Sequence, residues 1–319
     1  MTRRLFIRGS IAVVALIAVT MLSELALEVR DVDRYMPGQT FVQVGDARIR
    51  YRLMGTEHRG AMVVFLTGLS ATIEQADYLQ PAVSSAVPTL VYDRAGYGFS
   101  RGSVAHNGVE QADELAGVLH ALKIEQPVVL VAYSNAGEIA RVFVARYPQR
   151  TARLYLIEPW MPELALLMPQ HGVLHYYGRT AIQNFLKSLI GIIRLNQHLQ
   201  SPPEPKSLAR QRVDAAEARI SHNWAVLAEW ARRPQTGRQA IASPVPHSVP
   251  VEVAYTKSRF SDTESNIAVE KMYADLVAPS SHGTLVQFEH VDHERLMQPS
   301  LMFEPMAARI RQLSLDSAH

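Results

Sequence analysis

Cysteine is absent from this 319-residue chain. Its absence excludes disulfides, thiolate-held zinc and a cysteine nucleophile, while leaving the cellular compartment open. Surplus charge is missing as well. Thirty-two lysines and arginines stand against 30 aspartates and glutamates, a net charge of +2, so nothing suggests a nucleic-acid footprint. No internal repeat is evident. With 48% apolar and 19% charged residues, the balance is that of a globular protein with a substantial core, built as one large α/β domain or two smaller ones.

What is present at the start is a charge-free run. Ile11 to Leu22, IAVVALIAVTML, follows Arg3, Arg4 and Arg8 and precedes Glu24 and Glu28, with no convincing small-x-small cleavage site nearby. This is the layout of a signal sequence or signal anchor. The run falls short of the roughly 20 residues that span a bilayer, unless Ser23 to Leu27 join it. Three arginines before the run, against Arg30 and Arg34 after it, predict a cytoplasmic N-terminus with the domain outside, periplasmic or extracellular. The stretch Thr2 to Arg8, TRRLFIR, is also similar to a twin-arginine export signal. An ordinary basic flank, or a buried helix of a soluble protein, are the competing readings.

Further along, Gln39 to Met54 alternates apolar and polar residues about Gly45-Asp46, which predicts a β-hairpin. Short apolar runs at Met62–Leu66, Thr89–Tyr92, Val128–Val131 and Leu154–Ile157 predict strands buried on both faces. Helical spacing at Val109–Ile124 and Glu138–Tyr147 separates them. That alternation predicts a mostly parallel, doubly wound α/β sheet. After Glu158 the rhythm breaks into long helical patterns, TAIQNFLKSLIGIIRL and RVDAAEARISHNWAVLAEWARR, divided by SPPEP. Strand pattern resumes at Val249–Tyr255 and Thr284–Phe288, with helices at Asn266–Ala278 and Met302–Leu313. The expected organisation is a signal segment (1–30), a core in two parts (31–158 and 246–319), and a helical cap (159–245) inserted after the sixth strand.

One strand end carries a candidate nucleophile. In Val128 to Ala140, VVLVAYSNAGEIA, Ser134 follows a buried strand and opens a helix. A serine on so tight a strand-to-helix turn stands clear of the sheet and needs very small neighbours two positions away on each side. The usual pattern is G-x-S-x-G; here Ala132 and Ala136 flank the serine, with Gly137 just beyond. A strand end of purely structural origin is the bland alternative.

In its wider context the sequence resembles the α/β-hydrolase family over most of 40–315. The marks are Phe65-Leu66-Thr67-Gly68-Leu69, Tyr92-Asp93-Arg94-Ala95-Gly96-Tyr97-Gly98-Phe99-Ser100, the elbow at Ser134 and a late histidine. The anchor followed by YMPGQ and a hairpin is similar to a membrane-tethered subgroup. The resemblance implies that the D-R-x-G-x-G-x-S glycines play a structural part beside the elbow. It implies Ser134 as nucleophile and a late histidine as base: His293, with His290 as rival and His282 also late enough. The usual glycine before the base is replaced by Asp292. For the acid it implies either Glu158, at the end of the LYLIE strand, or Asp262. Main-chain N–H groups of Asn135 and Leu69 would form the oxyanion hole, with Thr67 where relatives usually carry histidine.

A serine nucleophile argues against epoxide opening and halide displacement, for which relatives use aspartate. The D-R-x-G-x-G-x-S loop lacks the third spaced glycine and the later acidic residue of a dinucleotide site. His290 and His293 lack a third ligand for zinc. No cofactor or metal is therefore expected. Tyr133 and Trp160 are the expected substrate-binding residues. The cap's Phe185, Leu186, Leu189, Ile190, Ile192 and Ile193 pack its helices, line an apolar tunnel or face lipid, and such walls fit a hydrophobic ester. The expectation is a serine hydrolase cleaving a carboxylic ester of a small or lipophilic substrate through an acyl-enzyme, membrane-held by its N-terminal segment. The competing reading is a catalytically silent relative that binds an apolar ligand or partner at the membrane.

Overall fold

The computed structural model describes residues 2–105, 107–163, 173–200, 204–257, 259–260, 263–288 and 303–317. A continuous helix, α1 (Thr2–Tyr35), leads in, and its Ser10–Tyr35 portion is long and apolar enough to cross a membrane. The hairpin follows as β1 (Thr40–Val44) and β2 (Ala47–Met54), turning on Gly45 at φ 57°. Then come β3 (Val63–Leu66), α2 (Leu79–Ser84), β4 (Thr89–Tyr92), α3 (Gly108–Ala121), β5 (Val128–Tyr133), α4 (Ala136–Arg146) and β6 (Thr151–Ile157). Four described helices precede the next strand: α5 (Val173–Leu189), α6 (Ile192–Leu199), α7 (Leu208–Ala218) and α8 (Ile220–Ile241). The chain closes with β7 (Val251–Thr256), α9 (Thr263–Val277), β8 (Gly283–Phe288) and α10 (Phe303–Leu315).

The eight strands form one sheet in the order β1-β2-β4-β3-β5-β6-β7-β8. β1 and β2 pair antiparallel, β2 runs antiparallel to β4, and every pair from β4 through β8 is parallel. All residues of β3, β4, β5 and β7 are buried. That accounts for their unbroken apolar runs, because a sheet covered on both faces has no polar side to alternate with. Val64 and Leu66 of β3 pack with Leu115 of α3 and Ala140 of α4. Val63 and Phe65 point the other way, toward Leu79 of α2 and Ile310 of α10. The period-two geometry of a strand thus divides the core into two layers.

Two long helical patterns in the insertion each break where periodicity gave no warning. TAIQNFLKSLIGIIRL is split at Gly191, which takes φ 73°; a Cβ there would also sit 2.8 Å from the Glu24 carboxylate of α1. RVDAAEARISHNWAVLAEWARR is split at Arg219, whose backbone is extended (φ −66°, ψ 135°). Arg219 is buried against Glu28, 3.3 Å away, and the Ile220 N–H donates to the same carboxylate. Both breaks lie where α1 meets the insertion, so tertiary contact overrides local propensity there.

Candidate active site

Leu69, Ser134, Asn135 and Glu158 lie just beyond the C-terminal ends of β3, β5 and β6, the edge of a doubly wound sheet where ligands bind. From Val128 to Val144 every residue is buried except Ser134, which is partly exposed. Its φ of 54° lies in the left-handed region that a side chain rarely adopts. The strained turn is held at both ends. The Ser134 N–H donates to the Ile157 carbonyl (3.0 Å), and its carbonyl accepts from Gly137 (3.1 Å) and Trp160 (2.9 Å). Ala132 and Ala136 are fully buried without opening the turn. The position that must lack a side chain is Gly137, where a Cβ would come 2.7 Å from that of Pro159.

The Thr67–Leu69 loop lies against this serine. A Cβ built on Gly68 would fall 3.6 Å from Ser134 Cβ and 3.3 Å from the Tyr133 ring. Among the described residues, the N–H groups of Leu69 and Asn135 meet no acceptor. Arg94, from the D-R-x-G-x-G-x-S stretch, donates to the carbonyls of Thr67 (2.7 Å) and Gly68 (3.0 Å). Asp93 is equally buried but faces away, accepting from the Ile73 N–H (2.7 Å) and pairing with Arg50 (3.3 Å). Gly98 lets the loop fold back, since at φ 54° a Cβ would lie 2.5 Å from Asp93 Oδ2.

Cap helix α8 braces this assembly. Glu229 accepts from Asn135 Nδ2 (2.6 Å) and from the Tyr97 hydroxyl (2.6 Å), and lies 3.3 Å from Arg94. Burial disfavours the Arg94 charge, but Glu229 and Tyr97 outweigh it and hold the guanidinium more firmly protonated than a free arginine. One turn on, Arg233 donates to Asn135 Oδ1 and lies over the rings of Trp160 (4.9 Å) and Trp230 (5.2 Å). At the other end of α8, His222 Nδ1 accepts from the Gly98 N–H (3.0 Å), so the proton sits on Nε2, 3.2 Å from Ser70 Oγ. Burial, with Arg219 and Arg94 nearby, pushes the His222 imidazole down to about 3, which keeps it neutral and structural. Leu69 is therefore flanked by two fixed points, Arg94 on the Gly68 carbonyl and His222 on Ser70.

Glu158 directly follows β6 and is fully buried, at φ 45°. Its carboxylate accepts from the Thr256 N–H and from Thr256 Oγ1 (2.9 Å), and lies 3.3 Å from buried Arg259. The Trp160 ring has two guanidiniums near it, Arg233 at 4.9 Å and Arg259 at 6.0 Å from its centroid. Tyr133 is buried in the core layer behind the elbow. His282 precedes β8 and is exposed, at the end of the sheet opposite Ser134. His290, His293 and Asp262 lie outside the described residues. The residues that sequence reasoning missed are Glu229, Arg233 and His222. On a helical pattern they read as ordinary polar positions; only the burial of this face of α8 against the core distinguishes them.

A sequence profile of the α/β-hydrolase fold matches residues 61–249, and the chain belongs to that family. The class is thus a hydrolase with a helical cap. A search of curated proteins gives no match. Among solved structures the chain is similar to a candidate epoxide hydrolase from Pseudomonas aeruginosa, with 12% identity, a TM-score of 0.67 and coverage of 88% of this chain and 97% of that one. It is similar to an epoxide hydrolase from Vigna radiata at 14% identity and TM-score 0.65, covering 86% and 96%. It also resembles a structure reported with carboxylesterases of Nitrososphaera gargenis, at 16% identity and TM-score 0.60, covering 86% and 98%. At these identities the likeness is one of fold.

Proposed function

We propose that the protein is a serine hydrolase that cleaves a carboxylic ester of a small or lipophilic substrate through an acyl-enzyme. Ser134 Oγ attacks the ester carbonyl while His293 takes its proton; the carbonyl π electrons move onto oxygen. Asn135 and Leu69 N–H groups stabilise that oxyanion. Collapse expels the alcohol, which takes its proton from His293. A water, deprotonated by the same histidine, then releases the acid and restores Ser134. Glu158 orients the histidine. It is preferred to Asp262 because it directly follows the strand next to β5, one residue beyond the carbonyl that binds the Ser134 N–H.

The observation that carries this reading is the lone accessibility of Ser134 in an otherwise buried strand and helix, on a left-handed turn with the Gly68 loop against it. The serine also favours ester over epoxide chemistry, although two of the similar structures are named for epoxide hydrolysis. A fluorophosphonate probe should label the full-length protein, and Ser134→Ala should abolish labelling. Labelling that survives in Ser134→Ala, or none in folded wild type, overturns the proposal and favours a silent ligand-binding relative. Helix α1 is read as a membrane anchor with the domain on the extracytoplasmic side. Protease protection in vesicles or spheroplasts tests this, and a domain on the cytoplasmic side refutes it.

A further inference from the structure

The anchor helix and the cap are built into each other. Glu24, Glu28 and Asp31 recur at helical spacing on one face of α1 and are buried against the cap. Arg194 of α6 lies 3.1 Å from Glu24 and 2.9 Å from Asp31, while Arg219 pairs with Glu28 at 3.3 Å. The turn at Gly191 touches Glu24 directly. Each contact sets the height of the cap along α1. Ile11 to Leu22 rises only roughly 18 Å, whereas the hydrocarbon of a bilayer is about 30 Å thick. A membrane crossed by α1 therefore reaches up to the turns that carry Glu24 and Glu28, where the cap is attached.

Leading up to the Gly191 turn that touches Glu24, the cap shows apolar side chains to the outside. Ile182 is 51% exposed and Leu186 54% exposed, four residues apart on α5 and continued by Ile190. The opposite face of α5 is buried through Ala181 and Ser188. Trp224 of α8, 50% exposed, has its ring centroid 5.6 Å from that of Phe185, the residue beside Leu186. Trp224 in turn shares one cavity of about 670 Å³ with Leu25 and Val29 of α1, and both of those remain exposed although their neighbours Glu24 and Glu28 are covered. Exposed apolar side chains thus occur on α1, at Trp224 and along the outer stripe of α5, while Arg101, Ser103, Arg219 and Ser221 line the cavity between α1 and Trp224. Arg179 and Lys187 lie on the same helix, long cationic side chains suited to phosphate headgroups. Single exposed apolar residues need no account, but a contiguous face beside a membrane-length helix does.

We infer that this cap face, Ile182, Leu186, Ile190 and Trp224, is seated in the lipid surface of the membrane that α1 crosses, so that the cap itself is a peripheral membrane element. The inference rests on the reading of α1 as membrane-spanning. Because the chain has no cysteine, single cysteines can carry an environment-sensitive fluorophore without background. Full-length Leu16→Cys, Ile182→Cys, Leu186→Cys and Ser85→Cys variants are labelled and reconstituted into phosphatidylcholine vesicles containing doxyl-labelled lipid. Leu16 reports the span. Ser85 is exposed just past the end of α2, in the turn that leads into β4 at the sheet end away from the cap, and reports solvent. The labels at 182 and 186 should be quenched by shallow doxyl lipid at least about threefold more than the label at 85, and be shielded from aqueous iodide. Quenching at 16 with 182 and 186 no different from 85 overturns the cap seat and leaves the anchor standing. Shielding from iodide without lipid quenching also overturns it, since protein (a second copy of the chain, for instance) then covers the face. Absence of quenching at 16 overturns both the anchor and the seat.

Discussion

Glutamine at position 229 separates the two parts that Glu229 plays. The carboxylate accepts hydrogen bonds from Asn135 and Tyr97 and faces Arg94 across 3.3 Å. Glu229→Gln keeps the shape, removes the charge and turns a donor toward one of the two incoming donors. Arg94, buried and gripping the Thr67 and Gly68 carbonyls, loses its counter-charge. Breaking one side of a buried pair costs roughly 3–5 kcal/mol. The oxygen that glutamine retains recovers about 1 kcal/mol of that through one hydrogen bond. Stability should therefore fall by roughly 2–4 kcal/mol. Catalysis should fall for a separate reason: with Asn135 and the Gly68 loop released, about one oxyanion donor is lost, roughly 3 kcal/mol or about 10²-fold in kcat. KM should hardly move, because the ground-state ester does not depend on that donor.

The assay is p-nitrophenyl ester hydrolysis by full-length protein in detergent micelles, resolved into kcat and KM, beside denaturant unfolding of the same samples. Tyr97→Phe is the control. It removes one hydrogen bond to Glu229 but leaves Asn135 and Arg94 engaged, so its kcat should stay within about fivefold of wild type. If Glu229→Gln unfolds more easily yet keeps its kcat, the helix braces the fold and not the oxyanion site, and the reasoning fails.

Four other substitutions probe different parts of the structure. Glu158→Gln should lower kcat by roughly 10³–10⁴-fold through loss of the base's orientation, while Asp262→Asn should leave it nearly unchanged; the reverse pattern in the same ester assay assigns the acid to Asp262. Burial, against the opposing charges of Arg233 and Arg141, pushes Glu138 up from 4.5 to about 7. Its unfolded form therefore ionises first as pH rises, and the penalty to folding is absent below about 4.5, grows between the two values and levels off above 7. At about 1.4 kcal/mol per pH unit, the stability of Glu138→Gln relative to wild type should improve by roughly 3 kcal/mol from pH 4.5 to pH 8 in urea titrations; a pH-independent difference refutes the assignment. Gly137→Ala would press a methyl group to 2.7 Å from Pro159 Cβ and should cost roughly 1–3 kcal/mol, with activity falling as the elbow shifts; an unchanged unfolding midpoint and unchanged kcat would show that the turn has room.

Much of this protein is legible one stretch at a time. Apolar runs at Val63–Leu66, Thr89–Tyr92 and Val128–Tyr133 declare buried strands because both faces of each strand are covered. Ser134 is marked by what surrounds it: a strand before, small residues beside it and a helix after. The charge-free run at Ile11–Leu22 marks a helix of membrane-spanning character, with the direction of its flanking charge. These features depend on neighbours within a few residues, and local pattern is what a sequence displays.

The cap is different. Glu24, Glu28 and Asp31 read as the polar end of an anchor, and Glu229 and Arg233 as the solvated side of a helix. Only the folded chain turns them inward, onto Arg194, Arg219, Asn135 and Glu138. A charge spaced for a helix surface carries no sign of its distant counter-charge, since the pairing is made by packing between segments far apart in the chain. Thus the serine-bearing turn, the parallel sheet and the apolar N-terminal helix are properties of the sequence alone. Tertiary structure decided that the cap holds the Asn135 and Gly68 sides of the candidate oxyanion site, because buried polar groups must find partners and those partners lie on another layer of the fold.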